Sequence, residues 1–258
     1  MMKKILFLIL LSVTVSAKAL TVAEEADSAY NKDDFRLAVE LYNRALIEDG
    51  VSADVYYNLG NAYYRCEKPG MAVVCYERAL KLDPTDSDAK TNLAFVRAQI
   101  QDKPEDDTAF LTSVHKSILG SMTPNSWSVT AFIVFLLLLG AIALYIFSGS
   151  VLPRKIGFFS GIVLLFIFGY VLYLAWESYS YATSHEDAVV TAPSTQLSST
   201  PRAARTSSDK VVTIHEGTKV EIIDSIATPD DPVSPKWYNV KINNNTKAWL
   251  RASDVERI

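Results

Sequence analysis

Two stretches of the chain interrupt every mixed pattern around them. Val129 to Phe147 (19 residues) and Ile156 to Trp176 (21 residues) carry no charged side chain. Such runs match the roughly 20 apolar residues needed to cross a bilayer core. Just before the first, Phe110, Leu111, Val114, Ile118 and Leu119 recur at helical spacing, with His115 and Lys116 between them and Trp127 beyond. This predicts a short amphipathic helix lying on a membrane surface or packed on the preceding domain. After the second run the period shortens to two. Val211 to His215, Lys219 to Ile226, Trp237 to Ile242 and Lys247 to Leu250 read as strands, with Val220, Ile222, Tyr238, Val240 and Ile242 facing inward. Ala188 to Pro193 is expected to open this β module, and the Ser/Thr/Pro-rich stretch up to Asp209 to form a long loop.

The first 19 residues place Lys3 and Lys4 before the apolar Ile5 to Leu11 and end on Ala17-Lys18-Ala19, the pattern of a signal peptide cut after Ala19. Between the two apolar runs the only charges are Arg154 and Lys155, whereas Glu177, Glu186 and Asp187 follow the second run. Arg154 and Lys155 are therefore topology determinants that hold the hairpin tip in the cytoplasm. Both soluble parts then face the periplasm of a bacterial inner membrane. Neither run contains an ionisable group that would mark a proton or ion path, so the pair reads as an anchor.

Composition narrows the chemistry. Three histidines and two cysteines are scattered along the chain, too few and too far apart for a clustered metal site. The formal charge of −4 becomes −7 once Lys3, Lys4 and Lys18 leave with the leader, 22 basic against 29 acidic residues, so nucleic acid is not an expected partner. No nucleophile elbow, phosphate loop or dinucleotide fingerprint is present, and no enzyme activity or cofactor is expected. Cys66 and Cys75 flank Lys68-Pro69-Gly70 on opposite helices, where a disulfide would strain the backbone. Two packed thiols are expected.

A shift of 34 residues aligns Tyr30 with Tyr64, Ala38 with Ala72, Tyr42 with Tyr76 and Ala45 with Ala79, and Asn58-Leu59-Gly60 recurs as Asn92-Leu93-Ala94. With Tyr56, Leu59, Gly60, Tyr63, Ala72, Tyr76, Ala79 and Pro84 at their spacing, the chain resembles the tetratricopeptide repeat family. Repeat one (about 20–50) is degraded and expected to pack less well; repeat two covers about 53–83, and 87–101 forms a solvating cap. The resemblance implies a concave groove lined by the first helix of each unit, which binds protein segments. Asp27, Tyr30, Asp54, Tyr57, Asn61, Tyr64, Arg65, Asp88, Asn92 and Phe95 are the groove candidates. Tyr57, Asn61 and Tyr64 share one helix face. The alternative is that they merely solvate that face.

The run His215 to Ile222, followed by Trp237-Tyr238-Asn239-Val240 and Ala248-Trp249-Leu250, resembles a bacterial SH3 domain, although Ala248 stands where glycine is usual. This implies binding of peptides or cell-wall material, with Trp237, Tyr238 and Trp249 as ligand candidates, of which one or two are expected in the core instead. The whole arrangement is similar to the Bacteroides aerotolerance operon E family: signal peptide (1–19), repeats and cap (20–101), linker with surface helix (102–127), spans (128–147 and 156–176) joined by a turn (148–155), and β module (177–258). The expected fold is thus a multi-domain membrane protein with an all-α repeat domain, a transmembrane helical hairpin and a small all-β SH3-like barrel. The resemblance implies a non-catalytic scaffold in an oxidative-stress envelope complex, with von Willebrand A-domain membrane proteins and a MoxR-type ATPase as partners. A cell-wall sensor binding peptidoglycan is the alternative.

Overall fold

The computed structural model describes residues 21–102, 110–203, 209–228, 235–242 and 246–258. The expected leader lies outside them. Five helices form the first soluble part among the described residues: α1 (Val22–Asn31), α2 (Phe35–Glu48), α3 (Ala53–Arg65), α4 (Pro69–Leu82) and α5 (Ser87–Gln99). Four of them begin for a local reason. Thr21 and Glu24 form a reciprocal capping box on α1, Asp34 caps α2, Pro69 starts α4, and the Asp86 carboxylate accepts the first amides of α5. α4 ends at Leu82, two residues before Pro84.

The 34-residue period is written in the backbone as well as the side chains. Asp33 and Glu67, one period apart, both adopt left-handed φ (61° and 59°). The same three amide bonds close each turn: Lys32 to Ala29, Asp33 to Tyr30 and Asp34 to Ala29 in the first, and Cys66 to Tyr63, Glu67 to Tyr64 and Lys68 to Tyr63 in the second. Repeat one thus folds as repeat two does despite its poorer sequence match. Ala26 and Ala29 are buried where α1 meets its neighbours, while Glu25 points out and pairs with Arg44. Gly60 has a steric reason: a Cβ there would lie 2.7 Å from the Tyr76 ring.

A short helix α6 (Phe110–Leu119) precedes α7 (Pro124–Phe147) and α8 (Val151–Thr183). Both α7 and α8 are long and apolar enough to cross a membrane, and few of their side chains are buried, unlike the core helices of a soluble protein. They pack antiparallel through small residues, and a Cβ on Gly157 would meet the backbone of Ala141 and Tyr145 at 2.7 Å. The link between them is shorter than expected, only Ser148–Ser150. Arg154 and Lys155 consequently sit in the opening turns of α8, and Arg154 donates back to the Ser148 carbonyl at 3.0 Å. At its far end α8 runs on past Trp176 to Thr183, about 10 Å further.

The carboxyl-terminal part is one antiparallel sheet of seven strands among the described residues: β1 (Asp187–Val190), β2 (Ser194–Ser198), β3 (Lys210–His215), β4 (Lys219–Ala227), β5 (Lys236–Lys241), β6 (Lys247–Arg251) and β7 (Val255–Arg257). Their order is β3-β2-β6-β5-β4-β1-β7, so the ladder does not close and β3 and β7 are its edges. A fully closed barrel is not what forms. The expected long loop is also corrected, because β2 pairs with β3 through Thr195 and Ile214 and with β6 through Ser198 and Trp249. Ala188, Leu197, Ile214, Val220, Val240 and Leu250 meet in one core with Tyr238, and Ile222 and Ile242 pack at its margin.

Candidate functional site

The inner face of the repeat part is built from α1, α3 and α5, and one hydrogen-bond motif recurs along it. Tyr42 on α2 donates its hydroxyl to Asp27 on α1 at 2.6 Å, and Asn58 on α3 donates to the same carboxylate oxygen at 3.3 Å. One period later Tyr76 on α4 donates to Asn61 at 2.7 Å, and Asn92 on α5 donates to that same amide oxygen at 2.9 Å. Each unit is thereby stapled both within itself and to the next. Burial, with Asp27 beside it, pushes the Tyr42 hydroxyl well above the ordinary tyrosine range, and burial does the same to Tyr76. Three groove candidates, Asp27, Asn61 and Asn92, therefore spend polar atoms joining repeats.

The remaining candidates divide into aromatic clusters and exposed charges. Asn92 also donates to the Tyr57 hydroxyl (3.2 Å), and the Tyr57 ring leans on Tyr76. Tyr64 packs edge-on against Phe95, ring centroids 5.9 Å apart. Tyr30 packs edge-on against Phe35, over which the Arg65 guanidinium sits at 4.0 Å while it pairs with Asp33. Phe95 remains 57% exposed, and Asp54, Arg65 and Asp88 are exposed as well. These four groups offer an apolar ring, a cation and two anions to a partner. Tyr42, Asn58 and Tyr76 were not among the expected groove residues; the 34-residue pairing of Tyr42 with Tyr76 was the signal that could have revealed their shared role.

The β module docks on the opposite side, against α4. Val189 and Ile258 enter one apolar cluster with Ala72, Val73, Val74 and Leu93. Around it runs a chain of charges: Asp187 pairs with Lys219 at 2.9 Å, Lys219 with Glu77 at 3.1 Å, and Glu77 with Arg97. Burial alone would lower the Lys219 pKa, but Glu77 and Asp187 outweigh it and raise it. Lys81 donates to the carbonyls of Ser184 and Ile258, both at 2.9 Å, and its own pKa is lowered, chiefly by burial. At the other end Asp102 accepts from the His215 amide (2.6 Å) and the Thr218 hydroxyl (2.8 Å), and the His215 ring lies 3.0 Å away. Burial opposes ionisation of Asp102, yet these bonds hold its carboxyl below the usual range.

Among the SH3-type ligand candidates, Trp237 is 1% and Tyr238 8% exposed; Trp249 alone is partly exposed. Tyr238 faces the sheet core, which accounts for its burial, while Trp237 is buried on the other face beside Arg251. Both cysteines are free, and burial pushes the Cys75 thiol up to about 12. No group of metal-ligating side chains occurs among the described residues.

Comparison with known families matches residues 53–86 to the family described as tetratricopeptide repeat. The chain therefore contains a tetratricopeptide repeat, a module that typically mediates protein–protein interaction without catalysis. The matched stretch contains α3 and α4, with the Gly60–Tyr76 contact and the Tyr76–Asn61 bond inside it. No curated protein matches the chain.

Proposed function

We propose that the protein is a non-catalytic, membrane-held adaptor that grips a protein partner in its repeat groove. One observation carries this reading: the β module packs on α4, the outer helix of repeat two, while Phe95, Arg65, Asp54 and Asp88 on the inner face stay open. Ring, cation and anions in that arrangement suit a peptide segment with mixed polarity. The Arg154/Lys155 end of the hairpin lies in the cytoplasm and the repeats in the periplasm of an inner membrane. The likeness of β3 to β6 to a bacterial SH3 domain, and of the whole architecture to the Bacteroides aerotolerance operon E family, supports an oxidative-stress envelope complex. Its partners would then be von Willebrand A-domain membrane proteins and a MoxR-type ATPase.

Peptidoglycan sensing is the less supported reading, since burial of Trp237 and Tyr238 leaves Trp249 without a neighbouring platform. The test is affinity purification of the wild type beside Asp88→Lys/Phe95→Ala, two exposed positions whose change leaves the repeat staples intact. The variant should insert in the membrane normally and lose its main protein partner. An unchanged set of partners would overturn the groove assignment.

A further inference from the structure

The helix α6 has three faces with three different neighbourhoods. His115 points at α8, its Nε2 2.8 Å from Glu177 and its ring 6.0 Å from that of Tyr173. The adjoining Leu119 packs beside Trp127, whose indole N–H donates to the Leu119 carbonyl at 3.1 Å. Phe110 and Leu111 (each 78% exposed), with Val114 and Ile118, form a second face that the repeat part does not cover. Ser113, Lys116 and Ser117 form the third, which lines a cleft against α4 and α5. No residue of α6 is buried.

Contact with Tyr173 and Glu177 fixes the depth of α6. Those residues bracket the end of the uncharged run in α8, so α6 lies level with the edge of the hydrocarbon layer that the two long helices define. An apolar helix face left open at that depth continues the apolar surface of the hairpin, and lipid is the medium that covers both. The cleft behind it is charged in one sense. Lys90, Arg97, Lys116 and Lys219 line it against one carboxylate, Glu77, which is already paired. Lys90 and Lys116 are exposed and have no ion-pair partner among the described residues. Leu80, Leu93 and Pro84 supply an apolar wall.

We propose that α6 is embedded in the bilayer surface by Phe110, Leu111, Val114 and Ile118, and that the cleft behind it holds the headgroup of an anionic phospholipid between Lys90 and Lys116. The headgroup phosphate meets the two ammonium groups and the Ser117 hydroxyl, while the acyl chains follow the apolar face into the layer that α7 and α8 cross. This docking sets the height and tilt of the repeat groove above the membrane. It rests on the reading of α7 and α8 as membrane-spanning, and the test separates the two.

Full-length protein with Cys66→Ser is placed in phosphatidylcholine nanodiscs, with a bimane label on Leu111→Cys or, as reference, on Leu137→Cys within α7. Lipid-borne nitroxide should quench both. Loss of quenching at Leu137 would remove the spanning reading itself; quenching at Leu137 but not at Leu111 would overturn the α6 assignment alone. Binding of phosphatidylglycerol to the detergent-purified full chain is then compared with Lys90→Glu/Lys116→Glu. Reversal of the two charges should weaken it by about tenfold or more, with phosphatidylcholine unaffected. Equal affinity in both proteins, or full competition by inorganic phosphate, would overturn the headgroup site.

Discussion

Gly60 has no side chain because the Tyr76 ring occupies the space where one would go, 2.7 Å from the Cβ position. That ring cannot retreat: Tyr76 is buried and its hydroxyl is bonded to Asn61. Gly60→Ala should therefore cost about 1–3 kcal/mol through overpacking, despite the better helix propensity of alanine. The change is read as a lower denaturant midpoint of the full chain with an unchanged slope. Residue-scale packing of this kind was legible beforehand, since small residues at Gly60, Ala72 and Ala79 and tyrosines between them are what a 34-residue helical repeat needs. Which of Trp237, Tyr238 and Trp249 would be buried was not. An aromatic residue in a strand reads equally as a ligand platform or as buried packing, and only the arrangement of neighbouring strands decides.

At the scale of elements, the repeated staple makes a comparison possible that a single contact would not. Tyr42 donates to a carboxylate and Tyr76 to a neutral amide, in otherwise equivalent positions. Bonds to charged acceptors contribute about 1.5–3 kcal/mol and neutral ones about 1 kcal/mol. Tyr42→Phe should thus destabilise more than Tyr76→Phe, although Tyr42 belongs to the repeat with the weaker sequence match; equal unfolding midpoints for the two variants would refute the staple's electrostatic ranking. The helices of both repeats were readable from period alone, because hairpins of this type are fixed by contacts close in sequence. β2 was missed for the opposite reason. Ser194 to Ser198 carries mostly polar side chains with Thr195 and Leu197 turned inward, a weak alternation that looks like loop until β3 and β6 are known to flank it.

At the scale of the whole molecule the decisive contacts join residues more than a hundred positions apart, and no local pattern announces them. Lys219 and Glu77 are separated by 142 residues and His215 and Asp102 by 113. Lys219→Met would leave the buried Glu77 carboxylate with Arg97 alone and Asp187 without its cation, at a cost of about 1–3 kcal/mol. Asp102 adds a pH dependence of known sign. Its carboxyl is held below the ordinary value of 3.8, so the stability it contributes is present above that value and is lost as pH falls through the depressed one. Acid should loosen the β module from the repeats, and Asp102→Asn should flatten that part of the profile of unfolding midpoint against pH.

The same docking constrains topology. α4 touches β1 and β7 directly, so the parts before and after the helical pair must share one side of whatever membrane the pair crosses. Two crossings satisfy this and one cannot. In a Cys66→Ser background, Lys32→Cys on the repeats and Ser253→Cys on the β module should react with a membrane-impermeant thiol reagent from the same side of sealed vesicles. Gly149→Cys, in the three-residue link, should react only from the other. Cys75 can remain in place, because a buried thiol pushed up to about 12 carries almost no thiolate at neutral pH and stays silent. Labelling of all three positions from one side would mean that the hairpin dips without crossing. Opposite labelling of Lys32→Cys and Ser253→Cys would break the docked interface itself, and with it the geometry that covers the outer side of repeat two while leaving the inner face of the repeats open to a partner.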